Sequence, residues 1–358
     1  MRREVTLART ASETVMGMQV YEQAIDSRAD EAVAALPRPT RLYRTVVRSL
    51  RSPLAGTRRL PAGVLQRMGP RTRPEVGRWL YPGRGPVHRM DLTLPPSPRG
   101  DIVTVHDIAP LRYPDEGTFP PAARTELLRA AAVITVSQFS ADEIAEHFGV
   151  VPIVIPNGVD HARFANARRL SCDELDALGV KGPYVLAAGG ASQRKNLEGL
   201  ARAWPMIRSS RPDLTLVLTG PPHPRRDGLF APLEGAIRVG RVADETLPRL
   251  LAGASALVMP SLYEGYGLPA VEGMAAGVPV VATDASALPE VLGETGVLVG
   301  RAPESLAEGV IWAVDGGPEI RAKVQAARAR SLGMSWERAA ARHAQVWDDV
   351  ISRTTAQR

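Results

Sequence analysis

The stretch Ser261-Leu262-Tyr263-Glu264-Gly265-Tyr266-Gly267-Leu268-Pro269-Ala270-Val271-Glu272-Gly273 follows the apolar run Ala256–Pro260. Pro269 suits the first turn of a helix, where its missing N–H costs nothing. Gly277 suits the position just past a helix end. Gly265–Leu268 therefore reads as a loop feeding a helix N-terminus, where unsatisfied backbone N–H groups and the helix dipole favour a phosphate. The glycines let the backbone come close to what is bound. Glu264 before the helix and Glu272 inside it can face one ligand, and a carboxylate accepting two hydroxyls is a natural ribose clamp.

Outward from this stretch, apolar runs alternate with helical segments. The runs are Tyr184–Ala188, Leu214–Thr219, Ala236–Val239, Ala256–Pro260, Pro279–Thr283 and Val297–Val299. Such alternation predicts a parallel α/β sheet, with ligands beyond the C-terminal ends of its strands. The first half repeats the pattern more loosely, with strands expected over Glu4–Ala8, Asp101–His106, Val133–Val136 and Ile153–Ile155. Residues 36–97, rich in proline and arginine, read as loops with short helices. A domain boundary is expected near Asp160–Lys181, and the tail from Glu319 to Arg358 reads as helical, with Trp336 and Trp347 suited to packing.

Two further motifs end strands. Gly189-Gly190-Ala191-Ser192-Gln193-Arg194-Lys195-Asn196-Leu197 follows Tyr184–Ala188 and opens a helix. Two cations there oppose the helix dipole unless an anion lies between them, so Arg194 and Lys195 suit a diphosphate. Val105-His106-Asp107-Ile108 ends a strand of the first half, where His106 could bond a sugar hydroxyl or handle an acceptor's proton. Gly17, after the first strand, could frame the floor of a cleft. Asn157-Gly158 is a turn signal first, and Ser137 is expected to cap the helix holding Asp142 and Glu143.

Composition narrows the classes. The chain has 358 residues, 44% of them apolar, enough for two α/β domains. Cys172 is the sole cysteine, so an intramolecular disulfide and a cysteine-based zinc site are excluded and a cytoplasmic setting is expected. The early pair Arg2 and Arg3 precedes no long apolar stretch, and no window reaches the about 18 apolar residues of a spanning helix. Net charge is +6, yet between Leu36 and Met90 thirteen arginines meet one acid, Glu75, giving +12 there and −6 elsewhere. That segment is expected to face anionic lipid at the inner side of a membrane, or a phosphorylated acceptor. The chain's three lysines show that arginine is its default cation, which is the compositional alternative. No nucleic-acid reader motif is present. Asp-x-Asp, P-loop, GxSxG and GxGxxG patterns are all absent, so no metal and no cofactor is expected.

Glu264-Gly265-Tyr266-Gly267-Leu268-Pro269-Ala270-Val271-Glu272 resembles the E-x7-E signature of retaining glycosyltransferases of the GT-B fold, and Arg194-Lys195-Asn196-Leu197 resembles their basic pair. VITVSQFS, VIPNGVD and VHDIAPLRYP are similar to phrases of the family-4 ("group 1") branch, so the resemblance runs from Asp101 to Asp349. It implies two Rossmann-like domains with parallel sheets facing a cleft, residues 1–165 for the acceptor and 175–334 for the donor, and a C-terminal helix 335–358 crossing back to the first. It implies that Glu272 binds the donor ribose. It also implies that Gly190, Glu264 and the amides of Tyr266, Gly267 and Leu268 hold sugar and diphosphate, and that Arg194 and Lys195 neutralise the leaving group in place of a metal. His106 and Asp107 would lie by the sugar and acceptor, and Arg241 and Val242 in the loop that receives the base. The implied reaction is retaining hexose transfer from a GDP- or UDP-sugar, with a lean to mannose, onto a glycan or lipid-linked acceptor of the envelope.

The first hundred residues depart from the pattern. The family often shows a glycine pair after the first strand, and here only Gly17 stands there. Two other readings compete: another enzyme on this fold, such as a nucleotide-sugar epimerase, and a non-catalytic protein that keeps the nucleotide site. A phosphorylase would need a pyridoxal lysine, for which only Lys181 and Lys323 remain.

Overall fold

The computed structural model describes residues 3–12 and 16–356. Arg2 of the early arginine pair and the last two residues of the expected C-terminal helix lie outside the described residues. The chain divides into two compact units, residues 1–158 with 336–358, and Val159–Ser335.

The first unit holds β1 (Glu4–Thr10), β2 (Arg41–Ser49), β3 (Arg58–Leu60), β4 (Val87–Arg89), β5 (Asp101–Thr104), β6 (Ala132–Thr135) and β7 (Ile153–Val154). They form one parallel sheet in the order β3-β2-β1-β4-β5-β6-β7. The second unit holds β8 (Tyr184–Ala188), β9 (Thr215–Thr219), β10 (Ala236–Gly240), β11 (Ala256–Met259), β12 (Val280–Thr283) and β13 (Val297–Val299), in the order β10-β9-β8-β11-β12-β13. Each sheet is doubly wound. Its order reverses between the first and fourth strands, β1 and β4 or β8 and β11, and the crevice beyond the C-terminal ends of those strands is where such sheets bind ligands.

In the second unit β9, β11 and β12 are buried along their whole length and β8 along all but its last residue, as a parallel sheet with helices on each side demands, while β10, with exposed Arg238, and β13 lie at its edges. Trp204 and Ile207 of the helix Leu197–Ser210 pack with Leu216, Leu218 and Phe230, each side chain contributing about 2 kcal/mol by leaving water. The Trp204 indole N–H donates to the Glu234 carbonyl at 2.8 Å, so burial leaves no donor unmet.

Residues 36–97 correct the loop reading, because three strands of the first sheet lie there. In β2 the buried Thr45 and Val47 lie between Arg44 and Arg48, so no long apolar run marks the strand. β3 and β4 have only three residues each. The arginines of this segment do not share one role. Arg73 and Arg89 are fully buried. Arg89 grips Asp101 with two bonds of 2.8 and 2.6 Å and reaches Glu126 at 2.9 Å, while Arg73 pairs with Glu126 and donates to the carbonyls of Leu65, Leu92 and Leu94. Arg44 pairs with Asp26 and Asp30. Counted from sequence as part of a charged face, Arg73 and Arg89 instead pin residues 62–97 onto the sheet, and Arg44 ties β2 to the helix Gly17–Ala34.

The unit boundary also differs from the expected one. It falls between Gly158 and Val159, because the helix His161–Ala165 packs on the helix Leu268–Ala276 of the second unit. The C-terminal helix Trp336–Ala356 packs against the helix Gly17–Ala34 of the first unit, with Trp347 fully buried. A chain of hydrogen bonds fixes that contact. Trp347 Nε1 donates to His88 Nδ1 (3.2 Å), so the His88 proton sits on Nε2, which donates to Thr104 Oγ1 (2.8 Å). His343 Nδ1 donates to the Ala339 carbonyl (2.8 Å), so its Nε2 accepts from the Tyr21 hydroxyl (2.8 Å). Thr104 then donates to Tyr21 (2.8 Å), and the chain runs one way only, through two neutral imidazoles.

Candidate active site

At the reversal point of the second sheet, the turns after β8 and β11 face each other. Gly189 leaves β8 with φ of +136°, a conformation that favours glycine, and Gly190 follows. Gln193–Lys195 form one 3₁₀ turn before Asn196, which adopts φ of +49° and caps the helix Leu197–Ser210 by accepting from the Gly199 N–H at 3.2 Å. Asn196 also donates to the Pro260 carbonyl at 3.0 Å, and the Leu262 N–H donates to the Arg194 carbonyl at 2.7 Å. The two turns are thereby stitched together.

The stitching brings Arg194 and Lys195 onto Glu264. Lys195 Nζ lies 2.6 Å from Glu264 Oε1, Arg194 Nη1 lies 2.9 Å from Oε2, and the Ser261 hydroxyl donates to Oε1 at 2.7 Å. Arg194 also donates to the Tyr263 carbonyl at 3.2 Å. Glu264 is 5% exposed. Burial works to raise its pKa, and the charges of Lys195 and Arg194 overcome it, holding the carboxyl at about 2. Both its oxygens are committed to these partners, so in this structure Glu264 positions the cations. The Glu264 N–H donates to Ser286 Oγ at 2.8 Å, and Ser286 sits at φ of +53°. Gly189, Gly190, Lys195, Ser261 and Glu264 line one pocket together with Arg226.

Gly267 is the N-cap of the helix Leu268–Ala276, at φ of +95°, and a Cβ there would lie 2.9 Å from Leu288. Leu268 is the first helical residue, Pro269 the second, and Gly277 closes the helix in the left-handed region at φ of +72°. Tyr266 is buried, and burial raises its hydroxyl pKa. Glu272 is half-buried on this helix and does not line the Glu264 pocket. Burial raises its carboxyl to about 7, against the pull of Arg163. Arg241 and Val242 follow β10, Arg241 exposed and Val242 half-buried.

The remaining expected site residues belong to the first unit. His106 follows β5, stacked edge-on against Tyr21 with ring centroids 4.7 Å apart. Its Nε2 is buried with no partner among the described residues, and burial lowers its pKa to about 4 although Asp91 and the Met90 backbone pull the other way. The ring is therefore neutral at physiological pH. Asp107 accepts from the Ala109 N–H at 2.9 Å, a local turn bond just before the short helix Ala109–Arg112. Gly17 is exposed at the start of its helix. Ser137 accepts from the Ser140 N–H at 3.0 Å as a helix cap.

Ser286 and Arg226 carry no motif that marks them in the sequence. Asn196 lies inside the motif Gly189–Leu197, but its cap shows only once the backbone turns left-handed. Arg226 had one available signal, its place just after an apolar run in a parallel sheet. Buried Glu22 is a further case. It is 1% exposed, its Oε1 has no partner among the described residues, and burial, helped by Asp91, raises its carboxyl to about 8.

Residues 182–315 match the family described as "Glycosyl transferases group 1", and residues 96–163 match "Glycosyltransferase Family 4". The chain is 32% identical over 232 residues to the O-antigen chain mannosyltransferase B of Escherichia coli, covering 59% of this chain and 60% of that protein. It is 34% identical over 236 residues to the MMP alpha-(1->4)-mannosyltransferase of Mycolicibacterium hassiacum, covering 63% and 55%. The chain thus spans less than two thirds of the length of these curated relatives. Among solved structures, a sucrose-phosphate synthase from Thermosynechococcus elongatus superposes with a TM-score of 0.74 at 21% identity, over 98% of this chain and 100% of that one. The Anabaena protein HepE, solved with UDP and glucose, gives 0.71 at 18% identity, over 96% and 99%.

Proposed function

The chain belongs to the group 1, family 4 glycosyltransferases and has the GT-B fold, and on that premise we propose that it transfers a hexose from a nucleotide-diphosphate sugar with retention of anomeric configuration. The observation that carries the reading is the placement of Arg194 and Lys195 against one buried, ionised carboxylate beside the Gly189–Gly190 turn. Such a cluster is charged for a departing diphosphate. Stabilising the charge that develops on a leaving group is commonly the largest catalytic term, worth several kcal/mol. These cations supply what a divalent metal would otherwise supply, so the transfer is metal-independent.

In this reading Glu272 binds the ribose, and the amides of Tyr266, Gly267 and Leu268 and the Gly190 turn hold phosphate and sugar. Arg241 and Val242 border the base. Neutral His106, with an unmet ring nitrogen, offers a hydrogen bond to a sugar or acceptor hydroxyl, and Asp107 and Gly17 frame the acceptor side. The relatives named as mannosyltransferases support mannose and a glycan or lipid-linked acceptor, with GDP or UDP as the carrier. The test incubates the protein, in EDTA, with GDP- and UDP-sugars and envelope extract. Release of one nucleoside diphosphate only when acceptor is present, with an α-linked product from an α-donor by NMR, is expected. Strict dependence on magnesium, or inversion, would overturn the mechanism.

A second feature favours action at an anionic membrane surface. Trp79 is 83% exposed, and Val64 and Leu50 are also exposed, in a segment whose Arg51, Arg67, Arg71 and Arg78 face water. An interfacial aromatic among cations suits a lipid headgroup layer. Binding to anionic vesicles should drop steeply between low and high salt and weaken in Trp79→Ala; binding indifferent to salt rules the surface out.

A further inference from the structure

Consecutive arginines of the second unit, Arg225 and Arg226, have opposite surroundings. Arg225 is held by Glu198 through two bonds of 2.7 and 2.6 Å. Arg226 is 4% exposed and pairs with no carboxylate among the described residues. The acid beside it, Asp227, pairs instead with Arg238 at 3.1 Å. Two bonds to carbonyls, of Gly189 and of Pro221 (2.7 Å), orient the Arg226 guanidinium, and its Nε is buried without a partner.

Those bonds place Arg226 where three strand ends converge. The Gly189 N–H donates to the Thr219 carbonyl at 3.1 Å, joining the ends of β8 and β9. Gly220, at φ of +138°, lets the two turns close. A Cβ there would lie 2.0 Å from the Gly189 carbonyl oxygen and 2.9 Å from Arg226 Nη2. The guanidinium then lines the same pocket as Gly190, Lys195, Ser261 and Glu264. Burying a charge without a counter-charge costs several kcal/mol, and the usual remedies are a paired acid or a bound ion. Among the described residues no acid pairs with Arg226. Arg226 and Lys195 line this pocket with Glu264, whose two oxygens are already held by Lys195 and Arg194, so a diphosphate entering it meets the Arg226 guanidinium.

We propose that Arg226 is a third cation of the donor site and binds the diphosphate directly, with the forked guanidinium held in place by the Gly189 and Pro221 carbonyls. The inference rests on the donor-site reading above and deepens it, because no motif of the sequence points to this residue. It makes β9 a contributor to the diphosphate site alongside β8 and β11.

The test measures binding of inorganic pyrophosphate, of UDP and GDP, and of uridine and guanosine, in EDTA, to the wild-type protein, Arg226→Gln, Arg226→Lys and the control Arg225→Gln. Arg226→Gln should lose at least 10-fold in affinity for pyrophosphate and for the preferred nucleoside diphosphate, and under 3-fold for the nucleoside. Arg226→Lys should recover part of the loss, and Arg225→Gln should stay near wild type. The gain in Tm on adding pyrophosphate should shrink in Arg226→Gln, a readout that holds even if the free variant melts lower. Equal losses for diphosphate and nucleoside, or none, would overturn the proposal while leaving the donor reading intact. Pyrophosphate binding that depends on Arg226, without any nucleotide binding, would keep the anion site and remove the donor reading. Wild-type protein that binds neither would remove both.

Discussion

Glu264 and Glu272 are eight residues apart and titrate in opposite directions. Glu264 is fixed by two cations and a hydroxyl and stays ionised to about pH 2. Glu272 has burial without a full counter-charge, and its carboxyl is raised to about 7. A ribose clamp that accepts two hydroxyls must be ionised, so nucleotide binding has to release a proton wherever Glu272 starts out protonated. Affinity for the nucleotide should therefore rise with pH between about 6 and 8 and level off above. Calorimetry in buffers of different ionisation enthalpy should show proton release near pH 6.5, abolished in Glu272→Gln. Affinity that is flat across this range would take the ribose away from Glu272. At this scale the site was partly legible. The motif residues stood out because glycines and charges flank apolar runs. The commitment of Glu264 to Arg194, Lys195 and Ser261 was not legible, since it needs the turns after β8 and β11 side by side.

Elements of the second unit could be read from sequence because its strands are apolar runs, broken only by Arg238 in the edge strand β10. The run Tyr184–Ala188 is β8 itself, and Val297–Val299 is β13. β2 could not be read, since its outward arginines interrupt the run and its inward residues, Thr45 and Val47, are unremarkable alone. The helix Gly17–Ala34 and the C-terminal helix hold to β4 and β5 through the one-way chain from Trp347 to Ala339. That chain needs neutral imidazoles. Burial, with the Arg89 cation close by, lowers His88 well below its usual value, and burial lowers His343 and His106 to about 4. The unfolded histidines titrate near 6.5, so between 6.5 and about 4 the unfolded chain takes up protons that the folded unit refuses, and stability falls with pH. His343 and His106 each cost about 2 kcal/mol of stability at pH 5. Calorimetric melting should show the first unit losing Tm between pH 7.5 and pH 5, and His343→Gln removing roughly 5 °C of that loss. An acid shift unchanged by His343→Gln would contradict the neutral chain.

For the whole molecule, net charge proved a poor guide to function while its distribution was informative. The arginine-rich segment looked from sequence like one face, and Arg73 and Arg89 instead close a buried network with Glu126 and Asp101. Their acids lie outside the segment, so no local charge count could pair them. The second unit makes the opposite use of arginine, with Arg226 paired to no carboxylate among the described residues at the reversal point of its sheet. Central to the account is that this unit binds a nucleoside diphosphate through its own cations. The direct measurement is a calorimetric titration of UDP, GDP, ADP and TDP, in EDTA, into the wild-type protein, Lys195→Ala and Glu272→Ala. The account predicts micromolar binding of one nucleotide, weakened by about 1–3 kcal/mol in each variant, as loss of a charge-assisted hydrogen bond requires. Binding that appears only with added magnesium, or that Lys195→Ala leaves unchanged, would contradict it.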